Sequence, residues 1–240
     1  MSKTSLSQPS SASLSQEGLH ALIHRELETE QKTNPMSYMK FANAKGRPYQ
    51  SYERIGFEGL RWSVEKRIRE YGLERYFQPE SVVLDIGSNY GFFVTEFALH
   101  VKAAHGVEPV PELCRIGEYT ADYLGVRDKV RFFAQKFEDF QAPCLYDTVF
   151  TLASFFTSDK NQRSSAELFF GKIRDILKPG GQLFYESTSF QYRPEQEDYQ
   201  HYVHALEAAR VLEELFTVDD RYEAPSGPEN HRLFMRCRKV

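Results

Sequence analysis

The segment VVLDIGSNYGFF, residues 82–93, combines a buried-strand pattern with an acid and a glycine-containing turn. Its first residues are apolar except for Asp85, which is typical of a strand buried in a sheet. The segment continues with two glycines separated by three residues, Gly87-Ser88-Asn89-Tyr90-Gly91. Glycine permits tight turns and lets a ligand approach the backbone closely. The segment therefore predicts a strand that ends in a loop for a nucleotide-like cofactor.

Strand-like and helix-like segments alternate after Ser81. The strand-like segments are SVVLDI, AAHGVEP, KVRFFAQ, YDTVFTLA and GQLFYES, and helical patterns lie around 92–101, 111–124 and 162–177. Such alternation is typical of βαβ crossovers and predicts a doubly wound α/β fold with a mostly parallel sheet. Ligands of such sheets bind beyond the carboxyl ends of the strands, where the glycine loop follows the first strand.

Composition limits the class of partner. The chain has 240 residues, a net charge of -4 and a mean hydropathy of -0.54. No apolar run approaches the roughly 20 residues that span a bilayer, so we expect no membrane insertion. The net charge makes a nucleic-acid substrate improbable and favours a small molecule. Three widely spaced cysteines, Cys114, Cys144 and Cys237, argue against a disulfide framework or a metal site, and the reducing cytoplasm fits.

The N-terminal third divides into three predicted segments. Residues 1–15 are rich in serine and poor in large apolar groups, which predicts a disordered tail. Residues 16–80 form a predicted helical extension. Within it, residues 36–62 are aromatic and without a regular period, so they either pack the extension onto the sheet or form a lid over the active site. Residues 81–240 form the predicted cofactor-binding domain.

The acids near the loop point to the kind of cofactor. A dinucleotide site would read G-x-G-x-x-G, whereas this loop keeps only two of those glycines. Glu108 closes the next predicted strand, 23 residues after Asp85. A carboxylate there can accept hydrogen bonds from two ribose hydroxyls. Asp85 can anchor the loop or, through water, hold a cationic amino acid moiety.

At this point the sequence resembles the class I S-adenosylmethionine-dependent methyltransferases. The resemblance covers about 81–240 and rests on four motifs in order, VLDIGSNYG, GVEP, YDTVFTLASFF and LKPGGQLFYES. The C-terminal region also resembles the closing antiparallel hairpin of that family. The resemblance implies a seven-stranded, mostly parallel sheet and S-adenosylmethionine as the cofactor, with S-adenosylhomocysteine as the product.

The resemblance also implies a set of cofactor-binding residues. They are Asp85, Gly87, Ser88, Asn89, Gly91, Glu108, Pro109, Phe137, Glu138 and Ala153. Two positions depart from the family pattern. Asn89 replaces the middle glycine, which is tolerable because asparagine adopts left-handed conformations more readily than most residues. Lys136 stands where the family often has an acid for adenine, so we expect backbone groups near Phe137, with Glu138 or Gln135 as side-chain partners.

The sequence says less about the methyl acceptor and about the base that would take its proton. Candidate bases are Glu186, His201 and His204, with Asp159 as a further possibility, and Ser154 to Thr157 should face the methyl group if the family geometry holds. Arg61 precedes a predicted helix and can reach the cofactor carboxylate or an acidic substrate. We expect methyl transfer to oxygen or nitrogen of a small molecule, such as a sugar or secondary metabolite. A non-catalytic cofactor-binding module stays open, and an NAD-dependent oxidoreductase is disfavoured by the loop spacing.

Overall fold

A seven-stranded sheet forms the centre of the protein. The structure is a computed structural model that describes residues 14–33, 47–156, 164–195, 199–225 and 231–240. The strands are β1 (Val82–Ile86), β2 (Ala103–Val107), β3 (Val130–Phe133), β4 (Tyr146–Leu152), β5 (Leu177–Glu186), β6 (Thr217–Pro225) and β7 (His231–Arg238). Their order is β3-β2-β1-β4-β5-β7-β6; β1 to β5 are parallel, whereas β7 is antiparallel to both β5 and β6. The predicted doubly wound sheet and C-terminal hairpin are confirmed.

Helices cover both faces of this sheet. They are α1 (Gln16–Thr33), α2 (Val64–Glu70), α3 (Phe92–Ala98), α4 (Pro111–Tyr123), α5 (Ala166–Ile176) and α6 (Tyr199–Leu215). One core joins α1 to α4 with sheet residues such as Val83 and Phe150, and the other joins α5 and α6 with Leu84 and Val149. Because both faces are buried, the central strands read as continuous apolar runs.

None of the helices in the described part of the chain combines the length and apolarity needed to cross a membrane.

The N-terminal extension packs onto the main fold. Glu26 of α1 is buried and accepts a hydrogen bond of 2.8 Å from Nε of Arg115 on α4. Further along, the Tyr52 hydroxyl donates a 2.7 Å hydrogen bond to Glu96 of α3, and the Phe57 ring packs edge-on against Phe92. Residues 52–57 are therefore packed against α3. Residues 1–13 of the predicted tail and residues 36–46 of the possible lid lie outside the described residues, so the tail and the lid stay predictions.

Serine before a helix and glycine after it are typical caps, and the sequence offers both around the predicted helix after Trp62, at Ser63 and Gly72. The Ser63 side chain accepts a hydrogen bond of 3.2 Å from the Lys66 amide, and Gly72 follows the helix with φ of 59°. A hydroxyl at this position satisfies an amide that has no partner within the helix. These caps fix where α2 begins and ends, and α2 carries Arg67 towards the sheet.

Candidate functional site

The loop after β1 alternates between ordinary and left-handed backbone. Gly87, Asn89 and Gly91 have φ values of 72°, 53° and 71°. Asn89 thus adopts the conformation for which glycine is usually required, as expected from its side chain. Its Oδ1 accepts a 2.9 Å hydrogen bond from the Tyr90 amide. Although asparagine stands where the family usually has glycine, the backbone at position 89 keeps the left-handed conformation.

Hydrogen bonds tie this loop to the end of β2. The amides of Gly87 and Ser88 donate to the Val107 carbonyl at 2.8 and 3.1 Å. The Asn89 amide donates to Oε2 of Glu108 at 3.0 Å. The Glu108 carboxylate also accepts from the Val110 amide at 3.1 Å. The loop and the predicted ribose-binding acid are consequently held as one unit at the carboxyl edge of the sheet.

Close packing leaves no room for side chains along this unit. A Cβ atom on Gly87 would lie 2.4 Å from Cβ of Ser154, at the end of β4. The Phe132 ring fills the space beside three glycines at once. A Cβ would come within 2.4 to 2.8 Å of this ring at each of Gly91, Gly106 and Gly117. The roles of Gly106, Gly117 and Phe132 could not be predicted from the sequence, because they depend on spatial proximity.

The site has features that fit an adenosyl cofactor. Glu108 is buried, and a carboxylate offers about four acceptor positions, so ribose hydroxyls can share it with the backbone amides. The Ser88 hydroxyl oxygen is buried and has no hydrogen-bond partner among the described residues. A buried polar atom without a partner is costly unless a ligand or water satisfies it. Gly87 keeps the backbone bare beside these groups.

Asp85 is buried in the same region. Burial raises the pKa of its carboxyl group to about 8, with Arg67 opposing and Glu108 adding to the rise. The described residues supply its side chain with no hydrogen-bond donor. In the free protein Asp85 therefore holds its proton more strongly than an ordinary aspartate. Arrival of a cationic group beside it would favour loss of this proton.

Replacing Asp85 with asparagine should change how stability depends on pH. The folded state holds a proton that the unfolded state releases near pH 4, so wild-type stability should fall as pH rises towards about 8. Asp85→Asn removes this loss. We expect the variant to have a Tm several degrees above wild type at pH 9, since one pKa unit corresponds to about 1.4 kcal/mol. Thermal unfolding between pH 4 and 9 tests this, and parallel curves for the two proteins would contradict it.

The turn after β3 holds the predicted adenine contacts. Phe137 is buried against Phe169 of α5, whereas Glu138 is exposed. Nζ of Lys172 donates to the carbonyl oxygens of Phe137 and Glu138, each at 2.7 Å. This lysine was not predicted from the sequence. It fixes the backbone of the turn to α5.

The segment after β4 connects the loop to a second group of side chains. Ala153 has a left-handed φ of 61°, and its amide donates to the Glu186 carbonyl at 2.8 Å. Ser154 lies against the Gly87 position. Phe155 and Phe156 then turn towards α6. Thr157 and Asp159, considered above for the acceptor site, lie outside the described residues, as does the segment 157–163 that contains them.

A narrow cleft lies beyond Phe155 and Phe156. Its walls include Phe155, Phe156, Tyr185, Glu186, Thr188, His201 and His204. The His204 ring stacks on Phe156 with centroids 4.0 Å apart, and its Nδ1 lies 3.1 Å from Glu207. Nδ1 of His201 lies 2.6 Å from the Thr188 hydroxyl. All three predicted bases, Glu186 and the two histidines, thus line one cleft.

Glu186 lies among cationic side chains. Its carboxylate is fully buried and contacts Arg67 at 2.5 Å, Arg232 at 3.0 Å and the Tyr71 hydroxyl at 2.5 Å. Burial alone would raise the pKa of Glu186, but Arg232, Arg67 and Tyr71 lower it to about 2. Such a carboxylate is a weak base at neutral pH. Its environment favours a positioning role over the predicted role in proton transfer.

Arg61 approaches the same group from the N-terminal extension. Its amide donates to the Tyr49 carbonyl at 3.0 Å, and its guanidinium lies 5.8 Å from the centre of the Tyr49 ring. Burial and the charges of Arg232 and Arg67 lower the pKa of Arg61 from its ordinary value. Arg67, Tyr71 and Arg232 were missed by the sequence analysis, because 119 residues separate Arg67 from Glu186.

Comparison with solved structures confirms the predicted fold resemblance. The N-methyltransferase NodS from Bradyrhizobium japonicum WM9, in complex with S-adenosyl-L-homocysteine, is 17% identical, covers 92% of this chain and 98% of its own, and has a TM-score of 0.60. A SAM-dependent methyltransferase from Methanosarcina mazei is 17% identical with a TM-score of 0.57, covering 70% of this chain and 96% of its own. Geranyl diphosphate C-methyltransferase from Streptomyces coelicolor A3(2) is 12% identical with a TM-score of 0.57, covering 73% and 79%. No protein-family model and no curated protein matches the chain.

Proposed function

We propose that this chain, which has the fold of the class I S-adenosylmethionine-dependent methyltransferases, is itself such an enzyme and methylates an oxygen or nitrogen of a small molecule. The observation that carries this proposal is the unit formed by the glycine loop and Glu108. Two backbone amides of the loop are bonded to Val107, a third is bonded to Glu108, and the Ser88 hydroxyl next to them lacks a partner among the described residues.

Each part of this unit has a task towards the cofactor. Glu108 would accept the ribose hydroxyls, and the bare backbone of Gly87 would let the ligand approach the loop. Ala153 and Ser154 would flank it from the end of β4. The turn at Phe137 and Glu138, with Pro109 at the end of β2, would border the adenine. When bound, S-adenosylmethionine supplies a methyl group attached to a positively charged, already activated sulfur.

The remaining groups would orient the acceptor and receive its proton. Methyl transfer needs an in-line approach, so the walls of the cleft contribute chiefly by positioning. His201 and His204 are the better candidates for a base, because histidine has an ordinary pKa of about 6.5 and both rings line the cleft. Glu186 would hold the shape of the cleft through its arginine partners.

Glu108→Ala tests the cofactor assignment. We expect the dissociation constant for S-adenosylhomocysteine to rise about ten- to a hundredfold, since hydrogen bonds to a charged group contribute about 1.5 to 3 kcal/mol. Isothermal titration calorimetry measures this change. Glu118→Gln, on the exposed side of α4, is the matched control and should bind as wild type does. Equal affinity in all three proteins, with their folds intact by circular dichroism, would contradict the assignment.

A turnover assay separates catalysis from binding alone. Incubation with S-adenosylmethionine and a panel of small hydroxyl and amine compounds should release S-adenosylhomocysteine with at least one of them. Tight cofactor binding without turnover across the panel would support the non-catalytic module instead. Titration with NAD should show no binding.

A further inference from the structure

Three arginines surround one carboxylate at the carboxyl edge of the sheet. We call Arg61, Arg67 and Arg232 the arginine cluster. Nη2 of Arg67 and Nη1 of Arg232 contact the two carboxylate oxygens of Glu186 at 2.5 and 3.0 Å. Arg61 is close enough to Arg67, Arg232 and Glu186 for their charges to act on its pKa. Side chains from the extension, α2 and β7 therefore converge on the end of β5.

The charges of this cluster do not balance. Three guanidinium groups face the single negative charge of Glu186. Within the part of the chain that the structure describes, no carboxylate lies within ion-pair distance of Arg61. Asp85 is a further acid that interacts with Arg67, but burial raises its pKa and so reduces its negative charge. The cluster thus carries an excess of positive charge, in a place where Arg67 and Arg232 are buried.

Hydrogen bonding is also incomplete. Arg67 is 9% exposed and Arg232 is 4% exposed, and the Nε group of each is buried with no partner among the described residues. A buried N–H group without an acceptor is costly, and a charged one more so. An incoming anion would satisfy both the excess charge and these donors. Guanidinium groups suit carboxylate and phosphate because their N–H groups form a planar fork.

The cluster lies between the two halves of the candidate active site. On one side, the Arg67 guanidinium lies 4.7 Å from the centre of the Phe93 ring, which directly follows the glycine loop on α3. Tyr49, beside Arg61, donates its amide to the Tyr90 hydroxyl of that loop at 3.2 Å. On the other side, Glu186 belongs to the wall of the histidine cleft. If one end of a small molecule were bound by the arginine cluster, the rest of the molecule would lie next to the glycine loop and the histidine cleft.

We propose that the arginine cluster binds a carboxylate or phosphate group of the methyl acceptor, so that the acceptor is an acidic small molecule. This inference rests on the proposed function. The cofactor's own carboxylate has the same chemistry and is the other source of an anion. The cofactor's carboxylate comes with an ammonium group and a positively charged sulfur, so S-adenosylmethionine brings no net negative charge to the cluster, whereas an acidic acceptor does.

Anion binding to the cofactor-loaded protein tests the inference. Inorganic phosphate and malonate are titrated by calorimetry into protein saturated with S-adenosylhomocysteine. At least one should bind wild type, and Arg61→Gln should weaken that binding by at least about tenfold. Arg61 is chosen because it is outside the ion pairs of Glu186, so its variant should fold. Arg69→Gln, an exposed arginine on α2, should bind the anion as wild type does.

A second titration identifies the source of the anion. S-adenosylhomocysteine and methylthioadenosine, which lacks the amino acid moiety, are compared in wild type and Arg61→Gln. Unchanged affinity for both supports the acceptor. Weaker binding of S-adenosylhomocysteine alone would assign Arg61 to the cofactor and overturn the inference, as would failure of both anions to bind wild type. Failure of wild type to bind S-adenosylhomocysteine would instead remove the proposed function itself.

Discussion

Glu186→Gln should lower the free energy of unfolding by about 3 to 5 kcal/mol, the usual cost of removing one partner from a buried ion pair. The substitution leaves two buried arginines, Arg67 and Arg232, without their shared counter-ion. It also removes the charge that accepts the Tyr71 hydrogen bond. Denaturant unfolding at neutral pH measures the loss, and a difference below about 1 kcal/mol would show that the three partners rearrange easily.

The pH dependence of this loss has a definite sign. The pKa of Glu186 is lowered to about 2, so its contribution is present above the unfolded pKa near 4.3 and is lost as pH falls towards 2. The free energies of unfolding of wild type and Glu186→Gln should therefore approach each other below pH 4. Glu167→Gln is the matched control, because its ion pair with Arg210 is exposed and should contribute little.

Gly87→Val should abolish measurable binding of S-adenosylhomocysteine. Gly87 has φ of 72°, and a Cβ there would lie 2.4 Å from Cβ of Ser154. A branched residue is therefore strained by its backbone and forced against the end of β4. The loop must move away from Ser154, which displaces the amides that hold it to Val107. Calorimetry should detect no binding at concentrations that saturate wild type.

Gly125→Val separates the effect of backbone strain from the effect of the close approach to Ser154. Gly125 has a similar φ of 68°, but no atom lies within 4 Å of a Cβ built there. This variant should lose about 1 to 2 kcal/mol of stability from backbone strain and keep its cofactor affinity. If Gly87→Val binds like Gly125→Val, the close approach to Ser154 does not control the loop.

Local patterns in the sequence predicted the parallel α/β part of the fold, whereas the seven strands and the C-terminal hairpin were implied by the family resemblance. Apolar runs predicted the strands because both sheet faces are covered, and Ser63 and Gly72 indicated the ends of α2. The start of β5 was placed too late. Lys178 and the glycines after it suggested a turn, but Leu177 already pairs with Tyr146 of β4, with a register shift between them. Pairing between distant strands overrode the local signal.

The site was predictable only where its parts lie close together in sequence. The loop from Gly87 to Gly91 and the acid at Glu108 follow from two neighbouring strands. The environment of Glu186 depends on residues from α2 and β7, so its state as a paired anion could not be read from the segment around it. The raised pKa of Asp85 could not be read from its segment for a similar reason, since the burial that causes it arises from the packed fold.

The ring of Phe132 makes three distant sequence positions interdependent. It occupies the space that side chains would need at Gly91, Gly106 and Gly117, which belong to the glycine loop, β2 and α4. Replacing one of these glycines shifts the ring, so a second replacement is made beside a ring that has already moved. The losses in free energy of unfolding from the two replacements should therefore not add. A smaller residue at position 132 would remove the ring contact at all three positions, although Gly91 would keep its φ of 71° and a Cβ at Gly106 would still lie 2.7 Å from Oγ of Ser88. A substitution at position 132 is therefore expected to precede a substitution at any of the three glycines.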